Sequence, residues 1–117
     1  MRLLAVLGVF AAATVAAPVV LAQNHTTFVS SAKRALTKDF KDPDGAKYRD
    51  LAVYRELDGK DLYLCGEVNA KNSYGAFTGY TPFFSSLDHA RLKEGSDDSL
   101  FEALKKAACG ERLSAAK

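Results

Sequence analysis

The chain has no block of basic residues and no acidic tail. Its 16 Lys and Arg stand against 14 Asp and Glu, and Arg2 is the only charged residue before Lys33. Nucleic acid is therefore not an expected partner, since it is held by lysines and arginines clustered along one face. No CxxC pair, no GxSxG element and no glycine-rich phosphate loop occurs, which removes the usual redox, serine-hydrolase and nucleotide signatures. Histidine is scarce as well. His25 and His89 lie far apart, and with two cysteines expected to be bridged no zinc set remains. Asp42-Pro43-Asp44-Gly45 resembles the start of a calcium loop, but the later ligand and glycine positions hold Ala46, Lys47 and Val53. No metal and no cofactor is implied. Repeats and low-complexity tracts are absent from the region after residue 22.

What is present begins at the N-terminus. Arg2 precedes an apolar run from Leu3 to Leu21, and Val20 and Ala22 place small residues before polar Gln23. A positive start, an apolar stretch and a small-residue cut site describe a secretory signal peptide over residues 1–22. The competing reading is a retained anchor, because the run is just long enough to span a bilayer. Its alanines, Pro18 and single flanking charge favour cleavage. Bacterial lipidation would need Cys where Gln23 stands, so no stable membrane anchor is expected after cleavage. Asn24-His25-Thr26 matches the N-glycosylation pattern, which a eukaryotic secretory route would use and a bacterial one would not, and we read it as chance. The expected location is periplasmic or secreted.

The remaining residues, 23–117, make one small domain whose core is modest, burying only about two thirds of the surface of the unfolded chain. Covalent help would matter. Cys65 and Cys109 are the only cysteines, and in an oxidising compartment such a pair usually bridges. Closing that loop stabilises by roughly 4 kcal/mol on chain-entropy grounds. The alternative is a free, reactive thiol, which nothing in the flanking sequence marks.

Apolar residues Phe28, Val29, Ala32, Leu36 and Phe40 recur at helical steps, with Thr27 placed to cap. Asp42-Pro43-Asp44-Gly45 ends that helix, and Ala46–Arg49 is expected to add a helical turn capped by Asp44. Three alternating runs follow, Leu51–Leu57, Leu62–Ala70 and Ala76–Phe84, separated by turn-forming residues. His89–Lys93 suggests a short edge strand. Ser99-Leu100-Phe101-Glu102 fits a capping box opening a second helix, with Lys105 and Lys106 in its last turn and Gly110 as a left-handed stop. The expected fold is α+β: a three- to four-stranded antiparallel meander with an N-terminal and a C-terminal helix, and one disulfide.

Closing both hairpins symmetrically pairs Leu57 with Leu62, Val68 with Phe77, and Gly66 with Gly79. One sheet face then carries Leu51, Val53, Leu57, Leu62, Leu64, Val68, Phe77 and Phe83, with Arg55 as the charged exception. The gap at Gly66 is expected to be filled by Phe28 or Phe40. The other face carries Tyr54, Glu56, Tyr63, Cys65, Glu67, Asn69, Lys71, Tyr74, Thr78 and Tyr80. Tyrosine offers large contact area and a polar tip, which suits interfaces. Three readings stand: a solvated face, a face covered by the last helix through Cys65–Cys109, or a binding face built from Tyr63, Glu67, Asn69, Lys71, Asn72, Tyr74 and Tyr80.

Two segments are distinctive: Lys41-Asp42-Pro43-Asp44-Gly45-Ala46-Lys47-Tyr48-Arg49 and Cys65-Gly66-Glu67-Val68-Asn69-Ala70-Lys71-Asn72-Ser73-Tyr74-Gly75. Together they resemble a family of small, uncharacterised bacterial and prophage-encoded exported proteins. The resemblance spans Phe40 to Phe84, with Ala76 where a second glycine is more typical. It implies a bacterial source and export, and it brings no activity or catalytic residues. The leading expectation is a non-catalytic exported protein that binds a protein or cell-envelope component, one version being an inhibitor of an envelope enzyme. The alternatives are a small cell-wall-directed hydrolase, using Glu67 with Glu56, His89 or a free Cys65, and a structural accessory of an envelope or phage-derived assembly.

Overall fold

The computed structural model describes residues 25–117, so the leader reading lies outside the described residues. The order is α1 (Thr26–Thr37), a 3-10 turn (Pro43–Gly45), β1 (Lys47–Arg55), β2 (Leu62–Lys71), β3 (Phe77–Ser85), β4 (Ala90–Leu92), α2 (Ser99–Ala108) and β5 (Glu111–Ala115). All five strands form one antiparallel sheet, ordered β4-β3-β2-β1-β5. The α+β class, the meander of the first four strands and both helices match the expectation. The fifth strand does not: after α2 the chain returns to the opposite edge and pairs with β1.

The inner layer is α1 against one sheet face. Ala32 and Leu36 pack on Leu51, Val53, Leu64, Val68 and Phe83, with Phe28, Val29 and Phe40 at the margin. Val53, Leu64 and Phe83 are wholly buried. The periodicity that predicts α1 is sound, but the helix starts at Thr26 and not after Thr27. His25 occupies the cap position, without a side-chain bond to the first amides. The expected helical turn at Ala46–Arg49 does not form. Asp42, not Asp44, is the capping side chain, taking the Gly45 amide at 3.2 Å, and the chain is extended from Lys47.

The register differs from the symmetric one. β1 and β2 pair as Val53↔Leu64 and Arg55↔Leu62, a shift that keeps each side chain on its expected face but moves Leu57 into an exposed turn. Arg55 sits at the rim of the inner face and pairs with Glu111 of β5. Nearer the start of β1, two residues, Asp50 and Leu51, stand opposite the single Gly66. Asp50 takes φ 55° there, a left-handed conformation that aspartate tolerates better than most residues. Gly66 faces Phe83 and not Gly79, and the place of its missing side chain is taken by the backbone of the β1 bulge instead of by a helix ring. A second bulge, at Thr78 and Gly79 opposite Ala70, turns Phe77 to the outer face. Phe77 therefore leaves the expected core.

The outer layer is α2. Its cap is Asp98, not Ser99: the carboxylate accepts from the Phe101 amide at 3.0 Å and the Glu94 amide at 2.9 Å, and Arg91 braces it. Gly110 is not a left-handed stop. A β-carbon there would lie 2.8 Å from the Leu57 backbone, so glycine is required by close approach. Cys109 caps the end of α2 and is bonded to Cys65 of β2, Cα to Cα 6.4 Å. Phe101, wholly buried, stacks on Phe84 at 5.4 Å. Helices thus cover both faces of the sheet, but α2 covers only part of the outer one.

Candidate binding face

α2 divides the outer face in two. The half beneath it holds Tyr54, Tyr63, Cys65 and Phe84 in a small cluster with Phe101, Ala108 and Cys109. Of the three readings of the tyrosine-bearing face, cover by the last helix describes this half. Tyr63 is packed edge-on against Phe84 at 6.0 Å and its hydroxyl meets His89 Nε2 at 3.2 Å. It is set apart from the other six residues expected to bind, Glu67, Asn69, Lys71, Asn72, Tyr74 and Tyr80.

Those six lie on the open half and the turn beyond it, where β1, β2 and β3 run side by side. Glu67 is the register partner of Arg49 and takes its Nε–H at 2.5 Å. That carboxylate holds the Arg49 guanidinium still more firmly protonated. Arg49 in turn lies over the Tyr80 ring, 4.1 Å from its centroid. One rung along, the Lys47 and Lys71 ammoniums stand 4.6 and 5.4 Å from the Phe77 centroid. Cations held over ring faces are attracted by the ring quadrupole. Lys71 also reaches Asp42 at 3.4 Å, tying the aspartate-proline turn to the face.

The amides have structural duties. Asn69 Oδ1 accepts from the Gly79 amide at 2.9 Å, which fixes the bulge that delivers Phe77. Asn72 Oδ1 accepts from the Tyr74 and Ala76 amides, and Gly75 takes φ 80° in the same turn. Ala76 needs no left-handed backbone, so the missing second glycine does not loosen the turn. Tyr74 projects from it, 93% exposed. Sequence reasoning missed Lys47, Arg49 and Phe77 as members of this face. Two signals for them existed: the Lys47/Arg49 alternation opposite Glu67/Asn69, and Gly79 as a bulge marker.

The chemistry-bearing alternatives are not assembled. Cys65 is bridged, not free. Glu56 lies beyond the far end of β1 from Arg49 and Glu67, where its carboxylate takes the Asp61 amide. The two glutamates are therefore not neighbours. His89 sits in a network: Nδ1 contacts Ser86 Oγ at 2.9 Å and Asp88 Oδ1 at 3.1 Å. Hydrogen bonds from His89 and Ser86 hold the Asp88 carboxyl below its ordinary range. A catalytic relay would put carboxylate and nucleophile on opposite ring nitrogens. Here Ser86 and Asp88 share one nitrogen. The other faces Tyr63, whose hydroxyl is pushed up by burial and by Glu56, Asp61 and Asp88. The cluster ties the β3–β4 turn together. Among the described residues no group of three or more His, Cys, Asp and Glu could hold a metal ion, and no helix is long and apolar enough to cross a membrane.

No protein-family model matches this chain, and comparison with curated proteins and with solved structures gives no match either.

Proposed function

We propose that this chain is a non-catalytic binding protein, periplasmic or secreted, that engages a protein or cell-envelope component through the open half of its outer face and the Asn72–Tyr74 turn. Inhibition of an envelope enzyme is one form this would take. The supporting observation is that the two segments carrying the family resemblance are brought together in space. Asp42 meets Lys71, Lys47 pairs with Asn69, and Arg49 bonds Glu67, with Phe77 and Tyr80 seated among them. These side chains are already held by one another, so docking would immobilise little that is free. Aromatic rings and arginine are also the residue types that dominate binding energy in interfaces. The disulfide and the apolar leader support action outside the cytoplasm.

Cross-linking in an envelope extract, followed by mass spectrometry, identifies the partner and tests the face. Tyr80→Ala combined with Phe77→Ala is expected to weaken capture by about 30-fold or more, the size of an interface hot spot. Tyr63→Ala, in the half beneath α2, serves as the control and is expected to leave capture near that of the wild type. Undiminished capture by a folded Tyr80/Phe77 variant would remove this face from the proposal.

A further inference from the structure

We propose that the mature N-terminus is a Cu(II) site, made by the Gln23 α-amine, the Asn24 and His25 backbone amides and the His25 imidazole. The inference rests on the reading of residues 1–22 as a leader cut after Ala22. That cut leaves Gln23-Asn24-His25 at the start of the chain, with a free α-amine and a histidine in third place. The nitrogens then follow one another at a spacing that closes fused chelate rings around one metal ion. The first two rings each run N–Cα–C–N along the backbone. The last runs from the His25 amide through Cα, Cβ and Cγ to Nδ1. Small fused rings hold the four nitrogens in one plane, the geometry that Cu(II) and Ni(II) favour and tetrahedral Zn(II) does not. Coordination displaces both amide protons and the extra proton of the terminal ammonium. Two amidates against a divalent ion leave the chelate uncharged. Only one side chain enters this ligand set, so it needs no cluster of His, Cys, Asp and Glu, and none occurs among the described residues.

The fold leaves the required atoms of His25 available. α1 begins at Thr26, and His25 is its cap residue, with φ −90° and ψ 16°. The His25 carbonyl accepts from the Val29 amide at 2.9 Å. That carbonyl lies outside the chelate rings, so the helix keeps this bond when the metal is held. Among the described residues no hydrogen bond takes the His25 amide. The ring atom the chelate needs is Nδ1, and Nδ1 meets Ser114 Oγ at 3.0 Å. Binding copper exchanges this one hydroxyl contact for a metal bond. The ring borders a hollow of about 550 Å³ between α1 and β5, lined also by Val29, Lys33, Ser114 and Lys117 and by no Asp or Glu side chain. Lysines repel a bare dication but not an uncharged chelate. The oxidising compartment in which Cys65 and Cys109 bridge also favours Cu(II) over Cu(I). No residue of the candidate binding face takes part, so partner capture and copper binding stand or fall separately.

A terminal glutamine has a competing fate, closure on itself. The α-amine attacks the side-chain Cδ, a new C–N bond replaces the old one, and ammonia leaves. The resulting lactam has no amine to offer a metal. The test uses protein exported from its full-length chain, freshly purified and disulfide-bonded, whose intact mass is measured before titration with Cu(II). The mass should be that of residues 23–117 with no loss of ammonia. A single equivalent of Cu(II) should bind with the visible and EPR spectra of a square-planar, all-nitrogen centre; Ni(II) should compete and Zn(II) should not. Inserting one glycine between Asn24 and His25 keeps every side chain but moves the histidine to fourth place. That variant should bind Cu(II) more weakly by over ~100-fold, beyond the loss that removal of a supporting contact causes. His25→Ala should do the same. Ser114→Ala removes only the competitor for Nδ1 and should bind at least as tightly as the wild type. Retained affinity in the glycine insertion, or a protein of the expected mass that takes up no copper, would overturn the proposal and leave the leader reading intact. A chain already closed as the lactam would do the same, whereas an exported chain that starts elsewhere would overturn both.

Discussion

Gly66 shows how one side chain, or its absence, sets the outer face. The β1 bulge brings Arg49 O, Asp50 O and the Leu51 Cα within 3.1 Å of where a β-carbon would stand. All three are backbone atoms and cannot rotate away. Gly66→Ala should therefore destabilise by about 1–3 kcal/mol, as overpacking usually does, measured by urea unfolding. A variant as stable as the wild type would mean that the bulge is not held as described. The same bulge lets Arg49 pair with Glu67 while Val53 still faces the core. Much at this scale could be read in advance. The inner-face residues Leu51, Val53, Leu64, Val68 and Phe83 follow from alternation alone. Phe77 could not be read this way, because alternation carries no information about a bulge, and one inserted residue turns a core ring into a surface one.

The helices make the element-scale case. Asp98 accepts two backbone amides at the start of α2, and these bonds, with Arg91, hold its carboxyl below the ordinary range. A carboxyl depressed in the folded state contributes stability that is complete above its unfolded pKa and lost as pH falls through the folded one. Asp98→Asn should lower the melting temperature by a constant amount from about pH 5 to 7, and the difference should shrink below about pH 4. A difference that grows on acidification would contradict the assignment of Asp98 as the cap. Both helices were legible from apolar spacing, and the end of α2 from its lysines. The cap was misplaced by one residue because Asp98 and Ser99 are both good capping residues, and the choice depends on the tertiary contact with Arg91. β5 was not legible. Glu111–Ala115 is short and polar, and it becomes a strand because Gly110 lets the chain pass close to Leu57 and lie along β1.

Across the whole molecule, one covalent bond connects the layers. Cys65–Cys109 ties α2 to the central strand and decides which half of the outer face stays open. Replacing both cysteines with serine should cost roughly 4 kcal/mol on chain-entropy grounds, and hydrogen exchange should show α2 opening before the sheet. Equal protection of α2 with and without the bridge would mean that the contacts of Phe101 suffice. The sequence made the bridge legible through compartment and cysteine count. Glu67, Asn69, Lys71 and Tyr80 were legible through alternation and Asn72 and Tyr74 through turn composition, whereas their separation from Tyr63 depends on where α2 crosses, which no local pattern encodes. Hydroxyl-radical footprinting of the disulfide-bonded protein tests that division most directly. The expected result is strong labelling of Tyr74 and Phe77 with protection of Phe84 and Phe101. Equal labelling of both groups, or protection of Phe77, would contradict it.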